Sequence, residues 1–147
     1  MIKPFDDAYF MKKALLEAEI ALNKGEVPIG AVVVCNDQII AKGHNQVESL
    51  NDPTAHAEML AFTAATNFLG AKYLPDCTLY VTVEPCQMCA GAAFWTQIGR
   101  IVYGAEDEKR GYKHWNCKVH PKTKVQGGIL AEESKKLMEI FFKKLRK

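Results

Sequence analysis

Apolar residues recur along the chain with two different periods, and these periods predict helices and strands in alternation. The stripe that predicts the first helix repeats every three or four positions: Met11, Leu15, Ala18 and Leu22. Asp6 or Asp7 can cap the start of this helix, and we expect it to run to about Asn23. Gly25 follows as its stop.

Segments rich in β-branched residues predict the strands: Ile29–Cys35, Gln38–Lys42, Thr78–Val83, Arg100–Tyr103 and a weak fifth strand around Val125. A turn at Asn36-Asp37 joins the first two strands in a hairpin. Three more helices are expected, from Asp52-Pro53 to about Phe68, from Pro85 to about Thr96 and from about Ala131 to Lys144. The order predicts an α/β domain over residues 1–147, with helices packed on a mixed sheet and a polar loop at 104–123.

Composition places the chain among ordinary globular proteins, with 48% hydrophobic and 24% charged residues. Residues 1–7 lack the apolar core of a signal peptide, and no apolar run approaches the ~20 residues of a membrane helix. The five cysteines are an odd number, which favours free thiols in a reducing compartment over a disulfide framework. We therefore expect a cytoplasmic protein that does not enter a membrane.

Charge is divided unevenly along the chain. Residues 1–99 hold 6 Lys/Arg and 11 Asp/Glu, whereas residues 100–147 hold 13 Lys/Arg and 6 Asp/Glu. Such a division indicates an anionic partner for the C-terminal third. A solvated helix face followed by a basic tail explains the same numbers equally well.

Two short segments contain the residue types that hold a catalytic metal. The first is Pro53-Thr54-Ala55-His56-Ala57-Glu58, and the second is Glu84-Pro85-Cys86-Gln87-Met88-Cys89. Cys86 and Cys89 are three positions apart, so a helix puts both sulfurs on one face, and a helix start favours the thiolate that binds metal. Two thiolates and the His56 imidazole suit Zn²⁺ and leave a fourth coordination position for water.

Glu58 is the candidate for proton transfer in such a site. Zinc lowers the pKa of a bound water to roughly 7, and a nearby carboxylate can then carry a proton to a leaving amine. His56 and Glu58 are two residues apart and do not share a helix face. Both can address one metal only from an irregular first turn, which the expected start at Asp52-Pro53 would provide.

Other interpretations of the cysteine pair remain open at this stage. Cys-x-x-Cys also occurs in structural zinc sites, and Cys117, His114 or His120 could supply the fourth ligand of such a site. A redox pair or two buried core cysteines are further alternatives. We favour the catalytic interpretation because each segment lies at a predicted helix start after a strand or turn.

His-x-Glu followed by Pro-Cys-x-x-Cys resembles the signature of the cytidine deaminase superfamily. The resemblance covers nearly the whole chain. It implies a three-layer α/β/α fold with a central mixed five-stranded sheet, and one Zn²⁺ per chain.

Within that superfamily the chain is most similar to bacterial tRNA-specific adenosine deaminases. The similar segments are Glu26–Ala31, Asp52–Glu58, Leu79–Cys86, Met88–Ala92, Ile98–Ala105, Gly128–Leu130 and Phe141–Lys144. This resemblance implies conversion of adenosine to inosine at the wobble position of a tRNA anticodon stem-loop, by a homodimer. It also implies a contact of Asn45 with the target base, of Asp107 and Lys109 with flanking nucleotides, and of Phe142 and the basic tail (Lys143, Lys144, Arg146, Lys147) with RNA.

Two departures from that family leave the substrate open. Where relatives carry small residues after Asp-x-Lys, this chain has the bulkier stretch 110–117, and Phe94-Trp95 resembles an aromatic pair of bacterial guanine deaminases. The basic final helix favours RNA, since guanine deaminases end in an acidic, aromatic segment. The alternatives are a small-molecule deaminase acting on free guanine, cytosine or a nucleoside, and a zinc-stabilised RNA-binding module in which Glu58 has no role.

Overall fold

The computed structural model describes residues 5–146. These residues form four helices: α1 (Asp7–Asn23), α2 (Ala57–Leu69), α3 (Gln87–Thr96) and α4 (Ala131–Leu145). They also form five strands: β1 (Gly30–Cys35), β2 (Gln38–His44), β3 (Cys77–Val83), β4 (Arg100–Ala105) and β5 (Lys124–Gln126). The predicted types and order of the elements are confirmed.

The strands form one mixed sheet in the order β2-β1-β3-β4-β5. β1 is antiparallel to both β2 and β3, whereas β3, β4 and β5 run parallel to one another. Asn36 and Asp37 both have positive φ angles, 52° and 61°, which is the geometry of the two-residue turns that match the twist of a hairpin. The predicted hairpin and mixed five-stranded sheet are therefore confirmed.

Helices cover both faces of the sheet because successive strand residues point to opposite sides. On one face Val32 and Tyr80 pack with Met11 of α1 and with Leu137 of α4. On the other face the core includes strand, α2 and α3 residues: Val33, Leu79, Ala61, Phe62 and Ala93. The molecule is thus a three-layer α/β/α structure, as predicted. None of the described helices has the length and apolar character needed to cross a membrane.

The start of α2 differs from the prediction. Asp52 and Pro53 lie in a turn in which the Asp52 Oδ1 accepts hydrogen bonds from the amide and the hydroxyl of Thr54, both at 2.8 Å. The helix begins only at Ala57, with His56 as the N-terminal capping residue. The prediction was wrong because Asp52 uses its side chain to close a local turn, an alternative that competes with helix capping.

The two predicted motif segments meet at one edge of the sheet. The strand registers place the end of β2, the start of β1 and the ends of β3 and β4 at this edge. At Gly43 the β2 backbone lies directly against the Ala57 carbonyl, and a Cβ there would collide with it. The absence of a side chain therefore lets the first turn of α2 settle on the sheet beside the start of α3.

Candidate active site

One imidazole nitrogen and two sulfur atoms form a compact group at this edge. The His56 Nδ1 atom lies 3.6 Å from the Sγ atom of Cys86 and 3.6 Å from that of Cys89. All three atoms lie within 4.8 Å of one another. Zinc bonds of about 2.3 Å to sulfur and about 2.1 Å to nitrogen, at a tetrahedral angle, place the nitrogen about 3.6 Å from each sulfur. The donor types and their spacing therefore fit zinc.

Two helix starts bring these donors together. His56 caps α2 with φ −77° and ψ 153°, and Cys86 caps α3 with φ −72° and ψ 175°. Because a capping residue is extended rather than helical, the side chain of His56 is freed from the helical spacing that would separate it from Glu58. His56 and Glu58 can therefore both face the donor group although they are only two positions apart. The extended capping residue makes this possible, whereas the sequence analysis attributed it to an earlier helix start at Asp52-Pro53.

Cys86 is the more acidic of the two cysteines. Its pKa is lowered to about 4, mainly by a hydrogen bond from the Cys89 thiol and further by the neighbouring His56 imidazole. The hydrogen bond with Cys86 in turn raises the pKa of His56. The position of Cys86 at the start of α3 also favours its thiolate. These interactions favour the anionic sulfur, which is the form that binds a metal ion.

Glu58 is buried beside this group, with only 3% of its surface exposed. Burial is the main reason why the pKa of its carboxyl group is raised to about 7; a backbone hydrogen bond and His56 oppose this increase, and the Cys86 sulfur adds to it. A carboxyl group with a pKa close to the working pH can accept a proton and return it with little free-energy cost in either direction. Glu58 is thus suited to general acid and base chemistry.

The fourth ligand of a structural zinc site is missing among the described residues. Over residues 5–146, the group of three or more possible ligands contains His56, Cys86 and Cys89, and Cys117, His114 and His120 do not join it. The Cys117 sulfur instead lies 4.0 Å from the Oε1 atom of Gln87. A site with three protein donors and one free position is typical of catalytic zinc.

Asn45 lies at the end of β2 next to these donors and is 5% exposed. Its Oδ1 atom accepts a hydrogen bond from the Ala57 amide at 2.8 Å. This bond satisfies one of the free amides at the start of α2, so Asn45 supports the helix that carries His56 and Glu58. With the Oδ1 atom engaged in this way, the amide NH₂ is the group that Asn45 can offer to a ligand.

Glu84 organises the loop after β4, a role that the sequence analysis missed. Its carboxylate is 6% exposed and accepts hydrogen bonds from the Asp107 amide at 3.1 Å and the Lys113 amide at 3.2 Å. One buried side chain thereby joins the segment before Cys86 to residues 107–113. The available sequence signal was an acidic residue directly after an apolar strand, because a buried carboxylate needs hydrogen-bond donors.

Glu26 plays a similar part for the segment that leads to His56. It is 1% exposed, and its carboxylate accepts hydrogen bonds from the Glu48 amide at 3.0 Å and the Ser49 amide at 2.7 Å. The Ser49 hydroxyl donates a third hydrogen bond at 2.8 Å. Glu26 therefore holds the connection between Asn45 and the start of α2 in place.

The remaining residues predicted to contact substrate lie in the loop after β4 and on α4. Asp107 bends its loop, since its Oδ1 atom accepts hydrogen bonds from the Lys109 amide at 3.2 Å and the Arg110 amide at 3.0 Å. Lys109 is exposed. Phe142 is 36% exposed and lies on α4, in the layer across the sheet from α2 and α3. Of the predicted basic tail, Lys147 lies outside the described residues.

Comparison with known proteins identifies the family. Residues 5–146 match the family described as MafB19-like deaminase. The chain belongs to this deaminase family. The deaminase is 47% identical over 144 residues to the tRNA-specific adenosine deaminase of Aquifex aeolicus, with 94% of this chain and 95% of that protein covered. The predicted membership and the prediction of a nucleobase-deaminating enzyme are confirmed.

Solved structures agree with this assignment. A tRNA:A34 deaminase that performs A-to-I editing at the wobble position of transfer RNA matches the deaminase with a TM-score of 0.80 and 41% identity, covering 88% of this chain and 98% of that chain. The guanine deaminase of Bacillus subtilis is 46% identical with a TM-score of 0.63, but the match covers only 66% of this chain and 62% of that chain. The cytidine deaminase-like fold is thus confirmed.

Proposed function

We propose that this deaminase is a zinc-dependent hydrolase that converts adenosine to inosine at the wobble position of tRNA. The observation that carries this proposal is the donor group, in which the His56 Nδ1 atom lies 3.6 Å from each of two sulfur atoms and the buried carboxyl group of Glu58 lies beside them. The choice of adenosine in tRNA is supported by the relatives of that activity, which align with nearly the full length of the chain.

His56, Cys86 and Cys89 hold one zinc ion per chain in this proposal. When bound, zinc supplies an activated water at neutral pH, because it lowers the pKa of water to roughly 7. Burial of Cys89, which is 1% exposed, keeps competing solvent away from one side of the site. Hydrolysis of adenosine consumes this water and releases ammonia.

Glu58 moves the protons that this hydrolysis requires. Its carboxylate accepts a proton from the water and donates it to the adenine ring, then accepts the proton of the hydroxyl group added to the base and donates it to the departing amine. The amide NH₂ of Asn45 donates a hydrogen bond to the base and holds it against the donor group. Both residues are fixed before substrate arrives, since Glu58 is in the first turn of α2 and Asn45 accepts a hydrogen bond from the Ala57 amide of that turn.

RNA is held by the loop after β4 and by the basic C-terminal third of the chain. Asp107 and Lys109 contact nucleotides that flank the target, and Phe142 and the basic tail contact the stem-loop. Because the wobble base is already unpaired, little free energy is needed to turn it into the site. Binding should weaken as salt rises, in proportion to the number of phosphates that lysine and arginine side chains neutralise.

We further propose that the deaminase is a cytoplasmic homodimer. Several large apolar side chains are exposed near the C-terminal ends of α2 and α3: Phe68, Leu69, Phe94 and Trp95. A second copy of the chain would remove this apolar surface from water. All five cysteines are free thiols, which suits a reducing compartment. Light scattering after gel filtration measures the mass of the particle directly.

A deamination assay with four substrates side by side tests the proposed function. We expect inosine in a tRNA with adenosine at the wobble position, and little ammonia from free guanine, cytosine or adenosine. The variant Glu58→Ala should lose this activity and keep its zinc. Ammonia from guanine with an unchanged tRNA would favour the small-molecule deaminase suggested by Phe94-Trp95. Binding of tRNA without deamination of any substrate would favour an RNA-binding module.

A further inference from the structure

The stretch 110–117 forms a compact double turn. The His114 amide donates to the Gly111 carbonyl at 3.1 Å, and the Asn116 amide donates to the Lys113 carbonyl at 3.1 Å. The Cys117 amide closes the double turn on the Tyr112 carbonyl at 3.0 Å. Three backbone hydrogen bonds thus fix the conformation of this segment. They also fix the backbone position of Trp115, which lies within it.

This double turn is attached to the segment that supplies the cysteine donors. The Tyr112 amide donates to the Pro85 carbonyl at 2.8 Å, and Gly111 forms a backbone bridge with Cys86. At the other end the Cys117 sulfur contacts the side chain of Gln87. The Trp115 carbonyl lies 3.9 Å from the same sulfur. The backbone of the tryptophan therefore lies beside the first turn of α3, next to the Cys86 segment.

Trp115 presents an aromatic surface to solvent in this position. Its side chain is 54% exposed, and its ring meets the exposed His114 ring edge-to-face with 5.0 Å between the centroids. Exposed basic side chains flank this pair along the chain: Lys109, Arg110 and Lys118. The Lys113 ammonium is engaged with the Glu106 carboxylate at 3.2 Å and the Tyr103 hydroxyl at 2.7 Å. An exposed aromatic ring among cationic groups is the combination with which proteins bind single-stranded nucleic acid, because the ring stacks on a base while the cations neutralise phosphates.

We propose that Trp115 is a stacking platform for an unpaired base that flanks the target adenosine in the RNA. This role rests on the proposed function and adds a binding subsite to it. The double turn determines where the ring lies, so little conformational freedom is lost when a base stacks on it. The Glu84 carboxylate, which holds the Lys113 amide, fixes the distance between this subsite and the Cys86 segment.

Substitution of the ring, combined with removal of single bases from the RNA, tests this subsite. Trp115→Ala should weaken binding of an anticodon stem-loop on the order of 5- to 150-fold, which is the measured range for loss of one base–aromatic stack. Trp115→Phe should restore much of the affinity. Tyr73→Ala is a matched control, since Tyr73 is 47% exposed and precedes β3, at the opposite end of that strand from Glu84.

The partner base is found by placing an abasic nucleotide at each flanking position in turn. At one position the abasic RNA should bind wild type and Trp115→Ala equally, because the stack is already absent. A second readout uses Trp95→Phe, which leaves Trp115 as the remaining tryptophan of the chain. The fluorescence of Trp115 should be quenched when the intact RNA is added. It should stay unquenched when the RNA with the abasic nucleotide at the partner position is added instead.

Three outcomes would overturn this role, and they are distinguishable. If Trp115→Ala binds and deaminates the stem-loop as wild type does, the platform is absent while the proposed function stands. If Trp115→Ala changes the oligomeric state, measured as the mass of the protein assembly, and leaves RNA affinity unchanged, the ring belongs to a protein interface. If wild-type protein neither binds nor deaminates the stem-loop, the proposed function fails and the platform fails with it.

Discussion

The donor group and the loop after β4 lie next to each other but are built in opposite ways. His56, Glu58 and Cys89 lie at the starts of α2 and α3, in contact with a buried sheet. Residues 106–117 have almost no core of their own and are mostly exposed. Under the proposed function, we expect the groups that the fold fixes to determine the reaction and the exposed loop to determine the choice of substrate.

Glu84 marks the boundary between these two regions. It directly follows β3, and its two carboxylate oxygens accept hydrogen bonds from two backbone amides of the loop. A buried side chain therefore holds the inner side of the loop, while most of the loop residues are exposed. A change in the loop sequence could then alter the choice of RNA or base without disturbing the metal donors.

The largest effect should come from Glu58→Gln in the donor region. Glutamine keeps the size of the side chain and cannot accept or return a proton, so kcat should fall on the order of 10²- to 10⁴-fold. Metal content, measured by mass spectrometry, should match wild type. Glu108→Gln, an exposed change in the loop, is the control and should leave kcat unchanged. A near-normal kcat for the Glu58→Gln variant would contradict the role of Glu58 in proton transfer.

A smaller effect is expected from Glu84→Gln, and it should appear in the loop alone. The glutamine oxygen can accept only one of the two hydrogen bonds from Asp107 and Lys113, so one amide loses its partner at a cost of about 1–3 kcal/mol. Hydrogen exchange at these amides should accelerate, and KM for RNA should rise more than kcat falls. Glu133→Gln, an exposed change on α4, is the control. An equal loss of kcat and metal would show that the two regions are not separable.

The smallest effect concerns Glu26, which holds the segment before His56. Burial raises the pKa of this carboxyl group, but hydrogen bonds from the Glu48 amide and from Ser49 outweigh burial and lower the pKa below its ordinary value of 4.5. The stability contributed by the ionised form is thus fully present above about pH 4.5 and is lost as pH falls through the lowered pKa. Glu26→Gln should therefore reduce the free energy of unfolding at pH 7 and much less at pH 3.

Urea unfolding at the two pH values measures this difference. The matched control is Glu19→Gln, an exposed change on α1. Equal destabilisation of the Glu26 variant at both pH values would mean that the ionised carboxylate is not what holds residues 48 and 49. The metal content of the variant reports whether the segment before His56 must be fixed for the donor group to form.

Local patterns were sufficient to predict most of the fold. Met11, Leu15 and Ala18 are buried as their spacing predicts, and Asn36-Asp37 forms the expected hairpin turn. These features depend on neighbours in sequence, which a periodicity or a turn preference describes. The start of α2 was mispredicted for the same reason, because Asp52 has two local options and only the packed structure decides between them.

The donor group was predictable because each half is a short motif at a helix start. Glu84 and Glu26 were not, because their partners lie 22 to 29 positions away in sequence. Such bonds follow from the packing of loops against the sheet edge, which no local pattern describes. The position of Trp115 was likewise not predictable from the sequence, because it depends on the double turn that holds this residue beside the first turn of α3.

X-ray absorption at the zinc edge of the purified deaminase tests the proposed zinc site with three protein donors. We expect one zinc per chain with two sulfur neighbours at about 2.3 Å and one imidazole nitrogen at about 2.0–2.1 Å. The fourth neighbour should be a light atom that substrate or a small competing ligand exchanges. A zinc ion with four protein ligands and no exchangeable position, or a folded protein that binds no zinc through these residues, would contradict it.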